Sequence, residues 1–494
     1  MTLTTENPET ARPPVGATRG WLPAMLRRLH FYAGVLVGPF ILVAAATGAL
    51  YAFSPQLERA LYADLLEAPS SETALPLADQ VEAAVQSVGG DVVPTVVRPA
   101  PEPGDTTRVM FTLDEEAQIH GSELLGVFVD PGTAEVLGQD QVYGTSGSLP
   151  LRTDIAQAHR HMFLGDWGRL YSELAASWLG VVVLAGVGLW ALRWRRLRAS
   201  RRSARGLLVP QGGERGYRRT RSWHAALGIW IAAGGLFLAA TGITWSTYGG
   251  SNVTDLRQAL SWETPSVQTD LGDAAHAEDE HAGHEHHGGD HGASDEADVD
   301  PAAIDEVLQA GRDAGFTSTR LEIILPREAD QAWTIQDVSM RAPAPEVFSV
   351  AVDPDAASAT DVLRFEDYPF VAQLAQWGIW LHMGTLFGLA NQALLFGLST
   401  GLALMVIWGY VMWWQRRPRH GGRAMGPAPA PGALRRAPWW GVLLTVGSAA
   451  LVAWFLPVLG VSLVAFVIGD VLWQAHLRRR FRQEVDRWEP SVRE

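Results

Sequence analysis

Five histidines, His30, His159, His161, His224 and His382, stand at the edges of long apolar stretches. Imidazole ligates metals and haem iron readily, and an ionisable group beside hydrocarbon is costly enough to require a reason. Four of the five obey a pattern. His30 opens an apolar run closed by Ala46-Thr47-Gly48, and His224 opens one closed by Ala240-Thr241-Gly242 at the same spacing. "HRHMFLG" from His159 and "HMGTLFG" from His382 each set a glycine six residues after a histidine. The same shift of 223 residues superposes Gly186 on Gly409, Trp190 on Trp413, Arg193 on Arg416 and the Val-Asp-Pro at 129–131 on that at 352–354.

These matches describe a duplication in which each half is span, external domain, span. Two spans per half is an even number, so both halves enter a membrane in the same direction and equivalent residues lie at equal depth. His30 and His224 then face each other near the cytoplasmic surface, and His159 and His382 near the external one. A bis-imidazole pair on facing helices can hold haem iron axially. The chain has no cysteine, so covalent attachment through C-x-x-C-H is excluded and two b-type haems are expected. The glycines at 34, 38, 228, 234 and 235 would admit a flat macrocycle or a neighbouring helix. A lone histidine at a helix mouth ordinarily needs only a wet polar tip; four in two symmetric pairs favour ligation. His161 has no counterpart, since the shift gives Gly384, and ranks as an alternate ligand or a neighbour.

A second cluster lies in "HAEDEHAGHEHHGGDHGASDEAD", where His276, His281, His284, His286, His287 and His291 alternate with acids. Imidazole and carboxylate suit Zn, Cu, Ni or ferrous iron. Without apolar periodicity the stretch is expected to be disordered, so weak, flexible divalent-metal binding is expected there rather than one tight site.

The elements that must position the histidines follow from hydropathy. The chain has 494 residues, of which 47% are hydrophobic, and the apolar residues cluster into six segments near the roughly 20 needed to cross a bilayer: 31–53, 174–192, 225–245, 393–414, 439–456 and 458–475. Arginines flank their presumed inner ends, at Arg27 and Arg28, in a run of ten over 195–221, at Arg416, Arg417 and Arg419, and at 478–480. The positive-inside rule then puts both termini in the cytoplasm of a multi-pass membrane protein. It also accounts for the basic loop, so no nucleic-acid partner is expected. The first span has the look of a signal peptide, but its internal copy at 225 argues against removal.

The expected organisation is a tail (1–28), a first span (29–53), a first external domain (54–157), a second span with its histidine segment (158–194), a basic loop (195–222), a third span (223–247) and the His/acid-rich insert (248–299). A second external domain (300–372), a fourth span with its histidine segment (373–414), a cytoplasmic loop (415–437), a helical hairpin (438–475) and a tail (476–494) complete it. The external segments read as small α+β domains. Helices are expected over 77–88 and 301–311, strands over "VVPTVV", "RVMFTL", "LGVFVDP", "LEIILP", "AWTIQDV" and "VFSVAVDP", with Asp-Pro turns closing hairpins. The fold class is therefore an α-helical integral membrane protein with two small extracytoplasmic α+β domains, duplicated halves and a C-terminal hairpin.

At "LHFYAGVLVGPFILVAAATGALYAF", "AHRHMFLGDWGRLYSELAASW", "WHAALGIWIAAGGLFLAATG" and "LHMGTLFGLANQ" the chain resembles the PepSY-associated transmembrane family, which includes iron-regulated membrane proteins and siderophore-iron reductases. The external segments look like PepSY domains. The resemblance implies a membrane oxidoreductase, a haem-dependent ferric reductase that passes electrons from a cytoplasmic or quinone-pool donor through two b haems to a ferric chelate or siderophore outside. It puts the family's histidine at His159 rather than His161. The histidine-rich insert is not part of the usual pattern. The rival reading is a non-enzymatic PepSY membrane protein that binds or transports metal or regulates a partner. Against transport, the spans carry no Asp or Glu beyond Asp470 and the boundary residue Glu173.

Overall fold

The computed structural model describes residues 20–69, 73–89, 92–113, 118, 122–144, 146–271, 300–328, 330–418 and 425–488. The described residues begin with α1 (Trp21–Leu36) and α2 (Gly38–Ala52), which meet at a 62° bend. Sequence patterning gives one continuous span here; Pro39 breaks it. A proline has no N–H to return to the carbonyl four residues back, and its ring crowds that carbonyl. The carbonyl is that of Val35, and the Tyr410 hydroxyl donates to it at 2.5 Å instead.

Short helices α3 (Ser54–Leu61), α4 (Ala63–Leu66) and α5 (Leu77–Ser87) lead into strands β1 (Val96–Arg98), β2 (Thr107–Thr112), β3 (Glu123–Val129) and β4 (Val136–Tyr143). After α6 (Pro150–His161), with proline where a helix needs no donor, come α7 (Gly165–Ala199), α8 (Gly216–Thr244) and α9 (Tyr248–Ala259). Then follow α10 (Ile304–Asp313), β5 (Leu321–Ile324), β6 (Trp333–Asp337), β7 (Val347–Asp353), β8 (Ser358–Arg364), α11 (Phe370–Met383), α12 (Leu389–Gln415), α13 (Trp439–Phe455) and α14 (Pro457–Trp488).

Among the described residues α7, α8 and α12 are long and apolar enough to cross a membrane, and the bent pair α1–α2 makes a fourth candidate. The fifth and sixth spans expected from hydropathy are shorter apolar helices, Trp439–Phe455 and Pro457–Leu472. Pro457 ends the first of them, and Gly460 packs so closely that a Cβ there would lie 2.8 Å from the Ala453 carbonyl oxygen.

The chain forms two compact units. One comprises the described residues of Met1–Val43, Arg169–Asn252 and Gly401–Glu494. Its apolar centre joins Ala33, Val37 and Ile41 to Ala175 and Trp178 of α7 and Leu459 of α14. The two acids noted in the spans both have structural partners. Buried Glu173 accepts the backbone N–H groups of Tyr248 and Gly249 at 2.9 and 3.0 Å, satisfying the exposed donors at the start of α9. Asp470 pairs with Arg28, which also donates to the Pro429 carbonyl at 2.9 Å.

The other unit, Ala44–Gly168 with Val253–Thr400, holds an eight-stranded sheet in the order β4-β3-β2-β1-β5-β6-β7-β8, every neighbour antiparallel. β1 pairs with β5 through Val96↔Ile324 and Val97↔Ile323, so the segments on either side of α7 and α8 contribute to one sheet. They also share one core. α5 and α10 pack on the same face, where Val81, Val109, Val127, Ile304, Val307, Ile323 and Ile335 form a single cluster. Asp305 of α10 caps α5, accepting from the N–H groups of Leu77 and Ala78 at 2.9 Å each. Alternation along β2 sends Val109 and Phe111 to this face and Met110 to the other, where it meets Phe128, Val142 and Leu149. The expected Asp-Pro turns are present: Asp130 accepts from Gly132 N–H and Asp353 from Asp355 N–H, both at 2.9 Å.

Candidate functional site

His30 of α1 and His224 of α8 belong to the first unit, and their rings meet with centroids 6.1 Å apart and planes at 81°. His30 Nδ1 donates to the Val182 carbonyl of α7 at 2.9 Å. Because a carbonyl can only accept, this bond fixes the tautomer and leaves Nε2 without a proton, with its lone pair available. Gly186, one turn along α7, makes room for the ring: a Cβ there would lie 3.1 Å from His30 Cε1. His224 Nδ1 is buried beside the Met405 carbonyl without a well-formed hydrogen bond.

His159 and His382 belong to the second unit, with centroids 6.5 Å apart and planes at 59°. His159 Nδ1 lies 3.0 Å from Thr47 Oγ1, and that hydroxyl donates to the Ala44 carbonyl at 3.1 Å. The hydroxyl hydrogen is thus committed, so the imidazole donates and Nε2 again keeps its lone pair. Gly48 backs the ring, with a Cβ position 3.2 Å from His159 Cε1 and 3.4 Å from Ser399 Oγ. Both histidines sit at helix ends. α6 stops where Met162 and Phe163 turn left-handed (φ 51° and 57°), and α11 stops at Gly384 (φ 84°). Gly165 and Gly388, each six residues after its histidine, have φ of 54° and 57° where the next helix begins. A side chain rarely tolerates that conformation, which gives the repeated glycine its reason.

His161 sets its ring edge-on to Phe163, centroids 6.5 Å apart. The six histidines of the insert, His276 to His291, lie outside the described residues. Of the glycines expected to admit a macrocycle or helix, Gly38 faces Val406 and Tyr410, Gly228 faces Met405 and Gly235 faces Val183, all helix–helix approaches, while nothing lies within 4 Å of a Cβ at Gly34. The residues that buttress the imidazoles, Val182, Gly186, Thr47 and Gly48, escaped the sequence reading of the site. Thr47-Gly48 had a signal, as the close of the repeated Ala-Thr-Gly. Its second copy does other work, since Thr241 donates to the Phe237 carbonyl at 2.8 Å and Gly242 abuts Ala176.

Each pair has the dimensions of axial ligation. With a metal–nitrogen bond of roughly 2 Å and about 1.2 Å from ring nitrogen to centroid, two imidazoles on opposite sides of one metal have centroids about 6 Å apart. Among the described residues no three His, Cys, Asp or Glu gather as a protein-only metal site. A metal at either pair would draw its remaining ligands from elsewhere, which is what the four nitrogens of a porphyrin supply. The residues present therefore fit haem.

No curated protein matches the chain. The family model described as the PepSY-associated TM region matches residues 27–416, from within α1 to the end of α12, and takes in both histidine pairs and His161. The chain belongs to the family of membrane proteins defined by that PepSY-associated TM region.

Proposed function

We propose that this membrane protein is an electron conduit that reduces a ferric chelate or siderophore outside the cytoplasm, with His30 and His224 holding one b-type haem and His159 and His382 a second. The observation that carries this reading is the paired imidazoles themselves: two rings with centroids 6.1 Å apart in one pair and 6.5 Å in the other, one of each pair hydrogen-bonded through Nδ1. Bound there, haem supplies a one-electron carrier at each pair. The chain's own residues fix imidazole tautomers through Val182 and Thr47, and make room through Gly186 and Gly48. The internal repeat supports a duplication in which the two pairs lie near opposite membrane surfaces, with the arginine-rich ends and both termini in the cytoplasm. A cytoplasmic or quinone-pool donor would serve the His30–His224 side. Ferrous iron leaves its former chelator more readily than ferric iron, and the insert would buffer the released metal.

The test is an absorption spectrum of the protein purified after expression with haem supplied, followed by ferric-chelate reduction in inside-out vesicles given a cytoplasmic donor. A low-spin b-type spectrum and donor-dependent reduction are expected. A protein without a Soret band would sink the proposal and favour a non-enzymatic PepSY membrane protein.

A further inference from the structure

α6 carries a second polar residue on the face that presents His159. Arg152 precedes it by two turns, so both side chains leave the helix on the same side, about 10 Å apart along its axis. α2 follows the same face. Thr47 meets His159, and one turn on the Tyr51 hydroxyl lies 3.4 Å from Arg152 Nη2, with the guanidinium 5.6 Å from the phenol ring centroid.

Arg152 is 9% exposed, and its buried Nε has no hydrogen-bond partner. The carboxylate that faces it is Glu58, whose Oε1 lies 3.8 Å from Nη1, too far for a hydrogen bond. Glu58 has other commitments. It accepts from Leu149 N–H at 2.8 Å and interacts with a second guanidinium, Arg108, which donates to the Gly147 carbonyl at 2.9 Å. A guanidinium offers five donors in a planar fork matched to a carboxylate. Leaving one buried with a donor unused and its acid at arm's length is costly.

We propose that Arg152, assisted by the Tyr51 hydroxyl, is a carboxylate clamp for the group held at His159 and His382, and that it takes a propionate arm of b-type haem. The clamp rests on the haem reading of that pair. The two-turn offset along α6 is of the size that separates the iron of such a macrocycle from the carboxylates on its edge, and the charge-assisted fork would fix which way the edge points.

The test times haem loss to excess apomyoglobin from the full-length protein and from Arg152→Gln, Arg152→Lys and Tyr51→Phe, each loaded with haem b or with its dimethyl ester, which has no free carboxylate. With haem b, Arg152→Gln should release the haem of one pair roughly tenfold faster, the scale of a lost charge-assisted hydrogen bond. Arg152→Lys and Tyr51→Phe should fall between it and wild type. With the ester, all four proteins should release at one rate. Equal rates with haem b would overturn the clamp. So would an acceleration that persists with the ester, because Arg152 would then act through packing alone. A parallel titration with ferric citrate separates the other source of a carboxylate: weakened citrate binding in Arg152→Gln with unchanged haem loss would assign the cation to an external ligand and overturn the proposal. Should Arg152→Gln fail to fold by gel filtration, the other two variants carry the same comparison. A wild-type protein that binds no haem would instead overturn the reading of the imidazole pairs, a different result from any of these.

Discussion

His30 Nδ1 donates to the Val182 carbonyl at 2.9 Å, and His159 Nδ1 to Thr47 Oγ1 at 3.0 Å. One imidazole in each pair is therefore held in the tautomer that offers Nε2, by a main-chain acceptor in one unit and a hydroxyl in the other. Orienting bonds of this kind commonly change metal affinity by about ten- to a hundredfold when removed. Thr47→Val, which keeps the shape and loses the acceptor, should loosen haem at the His159–His382 pair without touching the other. Haem retention after gel filtration checks this; unchanged retention would mean that the hydroxyl does not orient a ligand.

Removing one ligand of a bis-imidazole site opens an axial position. His30→Ala or His224→Ala should lower the haem-to-protein ratio from about two toward about one, with a high-spin signal wherever haem remains. Pyridine haemochrome assay and electron paramagnetic resonance read this directly. Wild-type spectra in both variants would exclude that pair as a haem site.

His159 and His161 are two residues apart on α6; the ring of His159 neighbours that of His382, and the ring of His161 meets Phe163. His159→Ala should abolish external ferric-chelate reduction in vesicles, whereas His161→Ala should have the smaller effect. The reverse order would move the ligand by two positions.

Gly186 and Gly48 back the imidazoles at distances that a Cβ could hold only by displacing a ring, 3.1 and 3.2 Å from the respective Cε1 atoms. Gly186→Val should perturb the spectrum of the His30–His224 pair alone, and Gly48→Val that of the His159–His382 pair alone. If either substitution altered both spectra equally, the effect would be on the fold.

Deleting residues 276–291 removes six histidines. Divalent-metal binding measured by calorimetry should fall, and haem content should stay the same. Loss of haem on deletion would tie the insert to the pairs.

Asp305 joins α5 to α10 by accepting two backbone N–H groups at the start of α5. Asp305→Ala should destabilise the sheet-bearing unit by about 1 kcal/mol, the usual worth of a helix cap. A lowered thermal midpoint with unchanged haem content is expected in detergent. An unchanged midpoint would show that water replaces the cap.

Local chemistry along the chain determined a good deal. Runs of apolar side chains mark α7, α8 and α12 because every peptide group of a bilayer-crossing helix must be satisfied within it. Alternation marked β2, β3 and β5 to β7, whose residues are buried on the sheet faces. β4 and β8 carried no such signal. They are the two edge strands, largely unburied, and their sequences "VLGQDQVY" and "SATDVLR" are correspondingly polar. Histidine spacing marked the candidate ligands, since repetition keeps residue type and interval together.

Tertiary structure decided what depends on contacts between distant residues. Nothing local to Val96 or Ile324 says that β1 and β5 will pair, more than two hundred residues apart, and turn two segments into one sheet with one core. The apolar run 31–53 reads as one span; the bend at Pro39 is stable because the donor that satisfies Val35 comes from Tyr410 on another helix. Val182 is an ordinary residue of an apolar helix, and Gly186 only a repeat match to Gly409, until His30 is set against them. Arg152 reads as one more charge at the start of α6; only packing against Tyr51 and Glu58 makes it a buried cation with a donor to spare, because burial is a property of the assembled unit and not of the residue.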